Sequence, residues 1–212
     1  MLAGMKLTRR FHSCIEISQG TDTIVIDPGS FGPPENLSSV DAVLITHTHP
    51  DHIDADALAK ACEDNPELQV YGPTDLSELT SVPFTTVSDG MTFAVGSISV
   101  RVVEHPHATV TSSKALPPNF GFIFDERIFH PGDAFPALPG MELTCVPVSA
   151  PWLRMTDVED FLQANLPRTF VGVHDGIDNG NGRKLRRGLL QALADEYGVA
   201  YLPLEPDQAV EV

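Results

Sequence analysis

A single α/β domain is the fold class this sequence predicts, and three observations predict it. The chain has 212 residues, 42% of them hydrophobic. That is enough for one substantial core and too short for two ordinary domains with a linker, so residues 1–212 read as one unit. Short runs rich in β-branched and aromatic residues alternate with segments of helical spacing. Between one such strand and one such helix stands a burst of histidine and aspartate, where α/β sheets commonly place ligands.

Taken in order, Lys6 to Phe11, Ile15 to Ser18 and Thr23 to Asp27 read as short antiparallel strands, the third after the turn QGTD. The loop SFGPPENLSS is an irregular connection that leads into the strand VLIT. Asp54 or Asp56 can cap a helix in which Ala57, Leu58, Ala61 and Cys62 recur at helical spacing. Gln69 to Tyr71 is expected as a strand, Ser77 to Leu79 as a helical turn, and Met91 to Val95 with Ile98 to Val103 as a hairpin across Gly96 and Ser97. TVTSSKALPP reads either as a substrate lid or as an ordinary surface connection. FGFIFDERIFHPGD predicts two strands joined at Asp125 to Arg127, and LTCVPV a buried strand.

Thr156 and Glu159 form a capping-box pattern for a helix through Leu166, stopped by Pro167. TFVGVHDG is a strand ending at His174. Arg183 to Tyr197 predicts a final amphipathic helix with Leu185, Leu189, Leu190 and Leu193 on one face and Gly198 as its stop. Its Arg183, Lys184, Arg186 and Arg187 could form a phosphate site or simply balance neighbouring acids. The tail after Tyr201 reads as one short strand.

The organising stretch is Asp41 to Asp56, DAVLITHTHPDHIDAD. His47, His49, Asp51 and His52 spell H-x-H-x-D-H, and three of the chain's eight histidines lie in it. Alternate residues of an extended segment point the same way, so His47 and His49 can face one ion together. Pro50 bends the chain, so Asp51 and His52 can serve a second position nearby. Imidazole with carboxylate suits zinc, manganese or iron, whereas calcium and magnesium prefer oxygen alone.

With these residues the sequence resembles the metallo-β-lactamase superfamily. The resemblance implies a four-layer αββα sandwich and, in chain order, a third histidine for the first metal, a bridging carboxylate and a last histidine for the second metal. VVEHPHATV offers His105 or His107, and related sequences place the ligand before a small residue, favouring His107. IFHPGDAF offers Asp133 and VGVHDG offers His174. TIVIDPG supplies Asp27, either a group that orients a ligating histidine or a turn cap. The resemblance also implies a fold built from two similar β-rich halves, and HPGD echoes IDPG weakly. His12 is open between a place near the metal cleft and an ordinary loop, Asp175 between orienting His174 and capping a loop, and Trp152 between pocket and core.

The expected metal set is therefore His47, His49 and His107 for one ion, Asp51, His52 and His174 for the other, with Asp133 between them. The chemistry this implies is hydrolysis of a small ester, lactone or related substrate by a hydroxide that two metals generate, with Asp51 and Asp133 as the catalytic carboxylates. Zinc leads among the metals, with manganese or iron behind it. Alternatives are a phosphodiesterase or nuclease of the same fold, or an iron protein that binds or senses without turnover.

The 13 basic and 29 acidic residues give a formal charge of −16, which repels polyanions and argues against a nucleic-acid partner. No apolar run is long enough to span a membrane, and MLAGMKLTRR lacks the apolar stretch of a secretory signal, so a cytoplasmic protein is expected. Cys14, Cys62 and Cys145 are odd in number and far apart, as suits buried thiols. The sequence leaves the oligomeric state open, a homo-oligomer included.

Overall fold

In the computed structural model, which describes residues 4–212, alternation along the strands decides the layering. Residues 1–3, the start of the stretch read above for an export signal, lie outside the described residues. The first sheet is formed by β1 (Met5–Arg9), β2 (Ile15–Gln19), β3 (Asp22–Ile26), β4 (Ala42–Leu44), β5 (Gln69–Gly72) and β6 (Thr85–Thr86). The second is formed by β7 (Thr92–Val95), β8 (Ile98–Glu104), β9 (Phe120–Phe124), β10 (Ile128–His130), β11 (Leu143–Pro147), β12 (Thr169–Val173) and β13 (Ala200–Leu202). A last strand, β14 (Ala209–Glu211), returns to pair with β1, so each sheet has seven strands.

Along β3, Ile24 and Ile26 enter one apolar cluster and Val25 another. Along β9, Phe120, Phe122 and Phe124 enter that same central cluster while Ile123 faces away. The central cluster thus lies between the two sheets, as a period of two requires when both faces of a strand are covered. The outer face of the first sheet carries Val25, Val43 and Val70 against Leu58 and Ala61 of helix α1 (Ala55–Asp64). The outer face of the second carries Ile123, Val146 and Phe170 against Val158, Phe161 and Leu162 of α2 (Met155–Asn165) and Leu190 and Ala194 of α3 (Gly180–Tyr197). The order is helix, sheet, sheet, helix: an αββα sandwich.

Both sheets follow one plan. From β1 to β3 the strands are antiparallel and from β3 to β6 parallel; from β7 to β10 they are antiparallel and from β10 to β13 parallel. Parallel neighbours need a crossover, which is where the helices and long loops sit. The turn after β3 contains Asp27 and the turn after β10 contains Asp133, equivalent places in the two halves.

Several boundaries differ from the sequence reading. Helix α2 begins at Met155, because the Asp157 carboxylate accepts from the Arg154 backbone N–H at 2.8 Å; Asp157, not Glu159, closes the box. Helix α3 begins at Gly180, since Asn179 caps it through the Gly182 N–H. Leu190 of α3 is buried but Leu185 and Leu189 are 67% and 41% exposed, so the inward stripe is narrower than the leucine spacing implies. The tail after Tyr201 carries one short strand, β14, which completes the edge of the opposite sheet, while β13 takes in Tyr201 itself. Arg186 and Arg187 pair with Asp178 and Glu205, so half of the basic group balances acids.

A buried ion pair ties the sheets together. Arg9 of β1 is 1% exposed, its Nε–H donates to the Gly172 carbonyl at 3.2 Å, and its guanidinium pairs with Asp175 just beyond β12. Asp175 therefore serves Arg9 and not the imidazole of His174. Removing one partner leaves a charge in a place water cannot reach, so Asp175→Ala should lower the unfolding free energy by about 3–5 kcal/mol, while a paired Arg9→Met, Asp175→Leu replacement restores most of it. Urea unfolding measures this; a single variant as stable as the parent contradicts it.

Candidate metal centre

Every sequence-expected ligand comes from a loop that follows a strand, and these loops meet at one end of the sandwich. His47, His49, Asp51 and His52 follow β4, His107 follows β8, Asp133 follows β10 and His174 follows β12. Two groups of side chains place their ligand atoms within 4.8 Å of one another: His47, His49, His107 and Asp133, and His12, Asp51, His52 and His174. Asp133 lies between the groups. Its Oδ1 is 3.3 Å from His52 Nε2, and its Oδ2 is 3.4 Å from His107 Nε2 and 3.2 Å from His174 Nε2. His105 turns elsewhere, to a surface hollow beside Pro106, Pro117 and Pro118.

The histidines are aimed by oxygens behind them. Asp27 takes the Thr46 N–H at 2.8 Å, the Thr46 hydroxyl at 2.7 Å and the His52 Nδ1–H at 2.7 Å. With its proton committed to Asp27, the Thr46 oxygen receives the His47 Nδ1–H at 3.0 Å. His107 Nδ1–H donates to the Ala108 carbonyl at 2.6 Å, and His174 Nδ1–H to the Ser149 carbonyl at 2.5 Å. In all four rings Nδ1 carries a proton, so Nε2 is the nitrogen left to face a cation.

That leaves donors with nothing to bind. Among the described residues, Nε2 of His52, His107 and His174 and Oδ1 of Asp133 are buried with no hydrogen-bond partner, a cost of about 1–3 kcal/mol for each orphaned group. His47 Nε2 and His49 Nδ1 stand 3.1 Å apart, so the neutral Nδ1–H tautomer of His49 can donate to the His47 lone pair, and with that proton lost the two nitrogens can face one cation. The residues fit two cations, and imidazole with carboxylate is the donor chemistry of zinc, manganese or iron.

The proton balance has the same cause. Burial, foremost, holds the His47 imidazole well below its usual value. For His174 burial also pushes downward, but the Asp133 and Asp51 carboxylates, 3.2 Å and 3.5 Å from its Nε2, outweigh it and raise the group to about 9. Burial would lift Asp133, yet His52 and His174 hold it well below the carboxylate range. The carboxylates that keep a proton on His174 would attract a dication in its stead.

His12 has a different role. Its Nδ1 accepts the Gly176 N–H at 2.9 Å, so Nε2 must carry the proton, and it donates to Asp51 Oδ2 at 3.1 Å. His12 thus holds Asp51 and has no lone pair left for a metal. His12, Asp27 and His174 all have positive φ, at 58°, 51° and 64°, strain of the kind that gathers at functional sites. Gly29 permits the close approach of the Asp27 turn to the Asp51 loop, since a Cβ there would stand 1.8 Å from the Asp51 carbonyl oxygen.

Three positioning residues escape sequence reading: Thr46, Asn119 and Ser149. Asn119 Oδ1 accepts the Asp133 N–H at 2.9 Å and its Nδ2 donates to the Pro131 carbonyl at 3.0 Å, clamping the turn that carries Asp133. No local pattern marks it, because its partners are distant in sequence. Trp152 stands at the cleft and not in the core, 6.0 Å from the rings of both His107 and His174. It walls a cavity of about 210 Å³ onto which His49, Asp51, Asp133 and His174 open.

Comparison with known proteins agrees with the fold. The sequence model of the beta-lactamase superfamily domain matches residues 6–174. The chain belongs to the metallo-β-lactamase superfamily. Within it, the chain is 30% identical to Protein Rv0786c of Mycobacterium tuberculosis, covering 93% of this chain and 100% of that one. It is 28% identical to a UPF0173 metal-dependent hydrolase of Myxococcus xanthus over 59% of this chain and 50% of the relative. The fold is similar to that of the metallo-beta-lactamase fold protein YhfI from Bacillus subtilis, with a TM-score of 0.74, 13% identity, and 99% and 100% of the two chains covered.

Two measurements test this centre. Asp27→Asn replaces the acceptor that fixes the His52 tautomer and should weaken metal binding about 10–100-fold in a chelator competition; unchanged affinity would remove Asp27 from its orienting role. The second concerns His130, whose buried ring donates to the Ser13 carbonyl at 3.0 Å and accepts the Gly132 N–H at 3.2 Å, as only a neutral imidazole can. Burial, chiefly, lowers its pKa. Its folded value lies below the unfolded value near 6.5, so its contribution is present above about 6.5 and lost as pH falls through the folded value. Between those two values wild type should lose up to about 1.4 kcal/mol per pH unit more than His130→Asn; parallel stability curves would contradict this.

Proposed function

We propose that this metal-dependent hydrolase of the superfamily holds one cation on His47, His49 and His107 and a second on Asp51, His52 and His174, with Asp133 shared, and cleaves a small ester, lactone or related substrate. The observation that carries the reading is the convergence of orphaned buried donors on one space. The Myxococcus xanthus relative, named a metal-dependent hydrolase, supports the reaction class. Zinc is the first choice of metal, with manganese or iron behind it.

Cations held there lower the pKa of water in the site and offset negative charge developing on a carbonyl oxygen. The chain's own groups do the rest. Asp51, whose side chain is 24% exposed, faces the cavity while His12 steadies it, and it accepts a proton from the attacking water. Asp133, almost wholly buried, keeps the two histidine sets in register. Trp152 and Leu116 exclude bulk water from one side.

A formal charge of −16 supports a small molecule over a nucleic acid as substrate. A cytoplasmic setting fits three cysteines outside disulfides. None of the described helices is long and apolar enough to cross a membrane.

Alanine at His49 or Asp133 should remove about one equivalent of metal or more and abolish hydrolysis of whichever ester, thioester or lactone the parent turns over. Metal analysis beside a panel that includes bis-nitrophenyl phosphate measures both. Full metal content in both variants would end the ligand assignment, and turnover of the phosphodiester alone would end the substrate choice.

A further inference from the structure

The cavity over the ligands, about 210 Å³, is smaller than the roughly 300–1,000 Å³ that small-molecule sites usually occupy. Beyond Trp152 a second groove of about 520 Å³ opens. Trp152 walls both spaces, and the segment Ala108, Thr109 and Val110, which follows the ligand His107, passes from one to the other. The apolar lining of the groove is Phe135 and Phe161 with the small residues Ala108, Ala137 and Ala164, and its polar lining includes Thr109 and Asp160. The Trp152 and Phe135 rings meet edge to face at 5.8 Å, and Phe135 meets Phe161 at 5.4 Å, forming a continuous aromatic wall. At its mouth Arg154 is committed to Asp157 at 2.7 Å. The comparable hollow beside Phe11 and Phe31 is separated from the ligands by His12, buried between them.

We infer that this groove holds the unbranched acyl chain of the substrate while its scissile carbonyl lies over the histidines. The inference rests on the hydrolase reading above and adds the substrate class: amphiphilic acyl esters or thioesters rather than compact polar ones. An apolar wall continuous with the reacting position selects a substrate that is apolar beyond the scissile bond. Among the described residues that line the inner cavity, Lys114 is the one lysine or arginine, a cation available to the carboxylate that hydrolysis releases. Each methylene moved from water onto this wall is worth about a threefold gain in affinity.

Trp152 is the chain's only tryptophan, so its fluorescence reports on the groove without a label. The metal-loaded protein is titrated with butyrate, hexanoate, octanoate and decanoate, and kcat/KM is measured for the matching p-nitrophenyl esters. The dissociation constant should fall about threefold per methylene and then level off once the groove is full, with kcat/KM rising in parallel. In Ala164→Phe, and independently in Ala137→Phe, the ratio of the butyrate to the decanoate constant should collapse toward unity while unfolding stays cooperative. Equal constants along the series overturn the inference, as does a length dependence that survives both groove-filling variants. Length-dependent binding without turnover of any ester would leave the groove standing and remove the hydrolase substrate; turnover indifferent to chain length would do the reverse.

Discussion

The carboxylate of Asp133 is buried among histidine rings, and the rest of the molecule is consistent with the electrostatic demand this creates. A charge sealed from water is retained only where opposite charge or hydrogen bonds compensate it. Here the backbone N–H of Asp133 is taken by Asn119, its Oδ1 has no hydrogen-bond partner among the described residues, and the nearest nitrogens, Nε2 of the surrounding histidines, are aimed at the same space. Protons on His52 and His174 supply one form of compensation and metal ions another. Each ring must be able to give up its Nε2 proton while keeping Nδ1–H bound to oxygen, and Asp27, Ser149 and the Ala108 carbonyl impose that condition on His52, His174 and His107.

The sandwich is the scaffold that makes this convergence affordable. Two sheets pack a shared apolar core, so the strand ends are rigid where the loops begin. Repeating the antiparallel-then-parallel plan sets Asp27 and Asp133 at matching turns of the two halves. One turn carries the residue that aims a histidine; the other carries the residue that the histidines surround. The positive φ values at His12, Asp27 and His174 show the backbone bending sharply as it leaves the strands, a distortion of about 1–3 kcal/mol for each residue that the surrounding packing must hold.

Much of this was legible in the sequence, for a reason that also explains what was not. Strand periodicity and the H-x-H-x-D-H spacing are local, so the elements and the residues of the first loop could be read directly. His107, Asp133 and His174 became readable through the resemblance, which supplied the order in which separate loops contribute. Asn119 and Ser149 act through partners 14 and 25 residues away, and nothing in their neighbourhoods marks them. The start of α2 was misread because a side chain two residues earlier in the pattern, Asp157, captured the backbone N–H of Arg154. The exposed Leu185 and Leu189 mimic a core stripe, since spacing reports a helix face but not whether another element covers it.

His12 shows how much a single backbone donor can decide. Judged by proximity alone it belongs with Asp51, His52 and His174 as a fourth ligand. The Gly176 N–H occupies its Nδ1, and a neutral imidazole has only one proton to place, so Nε2 must be a donor. Its bond to Asp51 therefore steers a carboxylate that is itself partly open to the cavity, and His174, two residues before Gly176, shares that carboxylate at 3.5 Å. The β12 loop consequently sets both a candidate ligand and the residue that positions its neighbour. A shift in that loop would move Asp51 and His174 together, so in the proposed reaction it would couple proton transfer to metal holding without any further contact.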